Sequence, residues 1–188
     1  MKNLKTIAIA LMMLVSVTNY AQNKKIDATK STITWVGKKV TGQHSGTINI
    51  KDGNLVFIKN KLKGGTITVD MSTIKVTDLK SGEGKEDLEG HLKADDFFGT
   101  AKFATAKIDF KLISDNKDNT YNVTADMTIK DVTSPVTFKI IVAGKTATTA
   151  LKVNRTKFGI KYGSGSFFDN LGDKVIADDF DLNVALKF

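Results

Sequence analysis

A chain of 188 residues with one proline and no cysteine must stabilise its fold through a hydrophobic core, because disulfide bonds are excluded. Its 28 lysines and arginines exceed its 20 aspartates and glutamates, which gives a formal net charge of +8. The positive charges are spread along the chain and are not gathered into basic blocks interleaved with aromatic residues, so nucleic acid binding is not expected.

The first residues have the pattern of a secretory signal peptide. Lys2 begins a basic region, the run 7–17 consists of apolar and small residues, and Ala21 offers a cleavage point. The apolar run is too short to span a bilayer, which takes about 20 apolar residues. We therefore expect a signal peptide over 1–21, one mature domain over 22–188, and a periplasmic or secreted location.

Beyond this segment, apolar and polar residues alternate with period two, the pattern of strands that bury one face. The predicted strands cover 31–40, 47–51, 54–59, 65–71, 73–76, 103–113, 121–129 and 136–142, then a strand through Leu151 and Val153, and a last strand from Phe180 to Phe188. Turns are predicted at 52–53, where glycine accepts a positive φ, and at 115–119, 131–135 and 143–145. Roughly eight or nine strands with short connections favour an antiparallel up-and-down barrel or a sandwich.

The alternation also assigns side chains to faces. In the strand 103–113, Ile108, Phe110 and Leu112 are expected to share the apolar face. The last strand is apolar at every second position and ends at Phe188. This parity does not by itself distinguish an apolar face that points into a barrel from one that points toward lipid, so a small outer-membrane barrel is an alternative.

The alternation stops in the segment 78–99. Leucines four residues apart predict a short amphipathic helix over 86–93, and the pair Phe97 and Phe98 follows it. Adjacent aromatic side chains are expected to point in different directions, here one into the barrel and one against its wall. We interpret this insertion as a plug or lid that closes one end of a barrel over an apolar cavity.

Several stretches resemble a known family. They are, in chain order, TGQHSGTINIKDGNLVF, VDMSTIKVTD, DLEGHLKADDFFGTAKFATAKI, ADMTIKDVTSPVTFKI, VNRTKFGI and VIADDFDLNVAL, and together they cover essentially the whole mature chain. Together they resemble the YceI-like family of secreted polyisoprenoid- and lipid-binding proteins. The resemblance implies an all-β fold, a lipocalin-like antiparallel barrel of about eight strands with a helical insertion near 78–99. It also implies a long isoprenoid, quinone or acyl chain held lengthwise inside, and no catalysis.

Twelve inward-facing or aromatic positions are candidate ligand contacts: Trp35, Phe57, Val69, Phe97, Phe98, Phe103, Ile108, Phe110, Met127, Ile129, Phe138 and Phe158. Each is also consistent with ordinary core packing. His91 and Arg155 are candidate contacts for a lipid head group. The alternatives are that His91 orients the insertion and that Arg155 pairs with an aspartate at 178, 179 or 181.

Catalytic and metal-binding classes find little support in the sequence. A G-x-S-x-G motif and a phosphate-binding loop are missing. The two histidines, His44 and His91, lie far apart and have no cysteine to complete a metal site. Three tyrosines and one tryptophan are few for the aromatic girdles of a membrane barrel.

These observations predict a periplasmic protein that binds, transports or sequesters an amphipathic lipid, without a cofactor or enzymatic activity. Its expected partner is an isoprenoid or another long-chain lipid, and this role is compatible with transient membrane contact. The alternatives are the membrane barrel and a structural or interaction protein without a lipid. The sequence leaves the oligomeric state open, with a homodimer among the options.

Overall fold

The computed structural model describes residues 20–188, so the predicted signal peptide lies outside the described residues except for its last two positions. The elements are β1 (Gln22–Lys25), β2 (Thr32–Lys39), β3 (Gly42–Ile58), β4 (Lys61–Val76), α1 (Lys85–Lys93), β5 (Thr105–Asp115), β6 (Thr120–Ile129), β7 (Val132–Ala143), β8 (Thr146–Asn154) and β9 (Ile176–Lys187), with 3-10 helices at Arg155–Phe158 and Gly172–Lys174.

Strands β2 to β9 form a closed antiparallel barrel of eight strands. Each strand pairs with the next along the chain, and β9 pairs with β2 to close the ring. The short β1 pairs with the second half of β3. The predicted all-β barrel with a helical insertion is therefore confirmed, and helix α1 occupies the connection between β4 and β5.

The predicted turn at 52–53 is wrong, because β3 runs without interruption through this point. Gly53 pairs with Ile67 on β4 beside a register shift, and a Cβ atom at Gly53 would lie 2.8 Å from the carbonyl oxygen of Thr66. The glycine therefore permits close approach of two strands. The hairpin lies instead at Lys59 and Asn60, which both have positive φ, as a two-residue turn requires.

The turn predicted over 131–135 is shorter than expected. Lys130 and Asp131 form it with φ angles of 52° and 59°, and Pro135 lies inside β7. Strand β7 pairs with β8 over Ile140–Ala143, so within residues 20–188 the proline stands on a part of β7 that pairs with β6 alone. Proline is tolerated at such an edge position, where its nitrogen can point away from the paired strand.

A β-bulge changes the facing of Leu112. The register between β5 and β6 shifts between Phe110 and Leu112. Leu112 consequently points outward and is 69% exposed, whereas Ile113 packs against the core. The prediction that Leu112 shares the inner face with Ile108 and Phe110 is wrong, because one extra residue reverses the alternation.

The two ends of the barrel differ. One end carries the insertion between β4 and β5 and the segment 155–175 between β8 and β9, and we call it the lid end. The opposite end carries short hairpin turns, and fully buried Leu55, Leu62 and Tyr121 fill it. Within residues 20–188, no helix has the length and apolar character needed to cross a bilayer.

Candidate ligand-binding cavity

An apolar cavity of about 170 Å³ lies inside the barrel beneath the lid end. Nine of the predicted contact residues line it: Trp35, Val69, Phe97, Phe98, Ile108, Phe110, Met127, Ile129 and Phe138. They come from β2, β4, the insertion, β5, β6 and β7, so most strands contribute to one wall. These nine residues, which are distant from one another in the sequence, therefore surround one cavity.

Three predicted contact residues lie away from the cavity. Phe57 packs against Phe188 at the opposite end, with ring centroids 5.5 Å apart. Phe103 precedes β5 and is half-buried, with its ring close to Gly99. Phe158 is fully buried in a 3-10 helix outside the barrel strands. An aromatic residue at an inward position was therefore predicted to be buried, but its type did not show where it lies along the barrel axis.

Residues of β8 and β9 also belong to the cavity wall but are not among the twelve predicted contacts. Leu151, Phe180, Leu182 and Val184 all line the cavity. They stand at alternate positions of their strands, so the same period-two pattern marks them in the sequence.

Phe97 and Phe98 both line the cavity, contrary to the expectation that they point in different directions. Their rings meet edge to face with centroids 5.2 Å apart, and Phe98 also approaches Phe180. They lie in a turn, where the amide of Phe98 donates to the carbonyl oxygen of Leu92. Adjacent side chains diverge in an extended strand, but a turn can bring both to one side.

Polar contacts hold the insertion on the barrel. The ammonium group of Lys130 donates to the carbonyl oxygens of Asp95 at 2.7 Å and Phe97 at 2.9 Å. On the other side, the carboxylate of Glu89 accepts from the amide of Val76 at 2.9 Å. We call residues 85–99 the lid; it is attached to the β6–β7 turn and to the end of β4.

His91 lies on the outer side of the lid. Its ring contacts Tyr162 edge-on at 4.4 Å between centroids and lies 5.6 Å from the ring of Phe97. Its Nε2 atom is 3.5 Å from a carboxylate oxygen of Asp96. The residue therefore contacts both the lid and the segment 155–175, in keeping with the alternative that it orients the insertion.

Arg155 lies at the lid end of the cavity and is 2% exposed. Its Nε, Nη1 and Nη2 atoms donate to the carbonyl oxygens of Ala177, Ile160 and Ile176, each at 3.0 Å. Its guanidinium also stands 5.7 Å from the ring centroid of Phe97.

These bonds make Arg155 a cross-link within the protein. Of the three aspartates named in the alternative, Asp178 is the one it approaches, at 3.7 Å. Burial lowers the pKa of Arg155, and the charge of Asp178 opposes that change.

The carboxylate of Asp178 is stabilised in its charged form. Its pKa is held below the ordinary value of 3.8, first by the hydroxyl group of Ser164, then by that of Ser166 and by the charge of Arg155, while burial opposes them. Ser166 Oγ donates to Asp178 at 2.6 Å. This network fixes the segment 155–175 against the start of β9.

Comparison with known proteins places residues 25–188 in one family, described as the YceI-like domain. A UPF0312 protein of Shewanella denitrificans is 32% identical over 100 residues, which cover 53% of this chain and 50% of that protein. A UPF0312 protein of Pseudomonas putida is 34% identical over 128 residues, covering 62% and 63%. The match thus spans between half and two thirds of these relatives.

Solved structures share the fold. The chain is similar to BcnA of Burkholderia cenocepacia, with a TM-score of 0.64, 23% identity, and coverage of 86% of this chain and 98% of that one. It is also similar to a polyisoprenoid binding domain from Saccharophagus degradans, with a TM-score of 0.58, 13% identity, and coverage of 86% and 95%. The family match over the whole barrel, together with this fold, shows that the chain belongs to the YceI-like family.

Proposed function

We propose that this protein binds an amphipathic lipid, such as a polyisoprenoid, a quinone or a fatty-acyl chain, lengthwise inside the barrel. The observation that carries the proposal is the cavity of about 170 Å³ inside the barrel, whose lining is almost wholly apolar. Each methylene group buried there contributes about 0.8 kcal/mol, so affinity would arise mainly from chain burial. Chains longer than the cavity would extend past the lid.

The comparisons support the same class of ligand. The Saccharophagus degradans structure is described as a polyisoprenoid binding domain, and its fold matches this chain. Hydrocarbon side chains dominate the cavity wall, which favours binding over catalysis.

An aqueous setting fits the outer surface better than a bilayer does. On β9, Phe180, Leu182 and Val184 point into the cavity, so the intervening residues Asp181 and Asn183 point outward. A transmembrane barrel would carry apolar residues at such outward positions. We therefore favour the periplasmic carrier, which the leader-like sequence of the first 21 residues also supports.

Transient membrane contact is a further part of this proposal. Phe167 and Phe168 at the lid end are 48% and 50% exposed, and the ammonium group of Lys161 stands 4.5 Å from the ring centroid of Phe167. Exposed aromatic rings beside a lysine suit the interface of an anionic bilayer. Docking there would bring the lid to the membrane that holds the lipid.

Native mass spectrometry of the purified protein, followed by organic extraction, tests the proposal. We expect a co-purified lipid, and we expect the delipidated protein to bind an added polyprenol or ubiquinone with a stoichiometry of one. If the delipidated protein takes up none of these lipids, the barrel is a structural or partner-binding module instead.

A further inference from the structure

The indole N–H group of Trp35 is a hydrogen-bond donor that lies inside the barrel. Its side chain is 8% exposed and lines the cavity. The Nε1 atom is fully buried and has no acceptor among residues 20–188. A buried donor without a partner is unfavourable, and such groups in folded proteins are nearly always satisfied.

The indole is fixed on the inner side of the wall. Trp35 pairs with Gly46 on β3 and with Leu182 on β9. The ring lies over Gly46, in the space that an inward-pointing Cβ atom would occupy. Leu182, the partner of Trp35 on β9, lines the same cavity.

Two other polar side chains of the cavity lining, Thr149 and Arg155, already have partners. The hydroxyl group of Thr149 donates to the carbonyl oxygen of Lys139 at 2.8 Å. Arg155 uses three donors on backbone carbonyl groups at the lid end. On its own strand Trp35 is four residues before Lys39, where β2 ends at the lid end. At about 3.3 Å per residue, Trp35 is therefore about 13 Å along the strand from the lid end.

Building on the proposed lipid-binding function, we propose that Nε1 of Trp35 donates a hydrogen bond to a neutral carbonyl oxygen of the bound lipid. The ligand class is then an apolar chain that carries a quinone, ester or amide carbonyl group along its length. A charged group is disfavoured at this depth, because the surrounding side chains are hydrocarbon. An uninterrupted hydrocarbon would leave the donor unpaired.

A pair of probes isolates this hydrogen bond. A long-chain dialkyl ketone and the alkane of the same length bury nearly the same apolar surface, and both can be measured by displacement of N-phenyl-naphthylamine from the delipidated protein. We expect the ketone to bind about tenfold more tightly, because it satisfies the buried donor. Long-chain ester and quinone probes then identify the preferred source of the carbonyl group.

The single tryptophan of the chain provides a second readout. In a ¹H–¹⁵N spectrum the one indole cross-peak reports on Trp35 directly. We expect its proton to shift downfield with the ketone and not with the alkane. This measurement uses the unaltered protein, so it does not depend on whether a variant folds.

Trp35→Phe removes the donor and keeps an aromatic ring. We expect this variant to bind the ketone and the alkane with about equal affinity. Phe138→Leu is the matched control, since it alters a lining residue without a donor and should weaken both probes equally.

The outcomes separate the two proposals. Equal affinity for ketone and alkane, an unmoved indole proton, or a preference that survives in Trp35→Phe would overturn the carbonyl inference while leaving lipid binding intact. Failure of both probes and of the polyprenol to bind would overturn the proposed function, and the inference with it.

Discussion

Trp35 and Gly46 lie on adjacent strands in direct contact, with the indole in the place of a side chain at position 46. A Cβ atom on Gly46 would lie 2.5 Å from Cζ2 of Trp35 and would collide with the carbonyl oxygen of Lys75. The indole of Trp35 can therefore occupy this part of the cavity wall because residue 46 has no side chain.

Gly46→Ala is expected to destabilise the barrel. The added methyl group must displace either the indole or the backbone of β4, and such overpacking costs about 1–3 kcal/mol. Chemical denaturation of the delipidated protein measures the change. Gly64→Ala is the control, because its new Cβ would meet Val56 at an ordinary 3.5 Å. Similar unfolding free energies for Gly46→Ala and the parent would contradict the rigid contact.

Phe97→Ala is expected to speed ligand release about tenfold by removing a ring of the lid, beyond any effect on stability. Stopped-flow displacement of a fluorescent lipid gives the rate. Phe57→Ala provides a stability control, since it deletes a buried ring at the opposite end and costs about 3–5 kcal/mol. If Phe97→Ala releases lipid at the rate of the parent, or no faster than Phe57→Ala does, Phe97 does not gate the cavity.

Lys130→Met is expected to loosen the lid without changing the cavity wall. The two hydrogen bonds from its ammonium group to the lid carbonyl groups are lost, and we expect lipid to enter and leave about fivefold faster with little change in affinity. Lys117 occupies a positive-φ turn position between β5 and β6, at the opposite end, so Lys117→Met is the matched control. If lipid enters and leaves Lys130→Met at the rates of the parent, the two hydrogen bonds of Lys130 do not control opening of the lid.

Asp178→Asn is expected to destabilise the protein by about 1–3 kcal/mol near neutral pH, because the buried guanidinium of Arg155 loses its nearby negative charge. The folded state lowers the pKa of Asp178 below 3.8. Its contribution is therefore fully present above that value and is lost as the pH falls through the lower folded-state pKa.

Unfolding free energies across this acid range test the linkage. The difference between parent and Asp178→Asn should be constant above about pH 5 and shrink below it. Asp169→Asn, an exposed change in the same segment, should show little difference at any pH. A difference between parent and Asp178→Asn that does not depend on pH would contradict the assignment.

The double variant Phe167→Ala/Phe168→Ala is expected to lose binding to vesicles that contain phosphatidylglycerol, about tenfold, because two exposed rings no longer enter the interface. Leu112→Ala removes an exposed apolar side chain from the outer face of β5 and should bind vesicles like the parent. Co-sedimentation measures both. If the double variant keeps its vesicle binding, the bilayer does not dock there; if it alters size-exclusion mass instead, the patch joins two copies of the chain.

The period-two alternation was sufficient to predict antiparallel strands and seven of the cavity-lining residues on them, because it reports which side of a sheet a side chain occupies. It misassigned Leu112, since a bulge adds a residue without changing the local composition. It also placed Phe57 in the cavity, because alternation carries no information about depth along the barrel axis.

The sequence by itself determined that the strands would bury one apolar face and that a short helix and two phenylalanines would interrupt them. Only the tertiary structure decided that Lys130 holds the lid, that backbone carbonyl groups engage Arg155, and that the indole N–H of Trp35 is buried with no acceptor among residues 20–188. Local patterns depend on neighbours along the chain, whereas these contacts depend on strand register and barrel closure, which bring distant residues together.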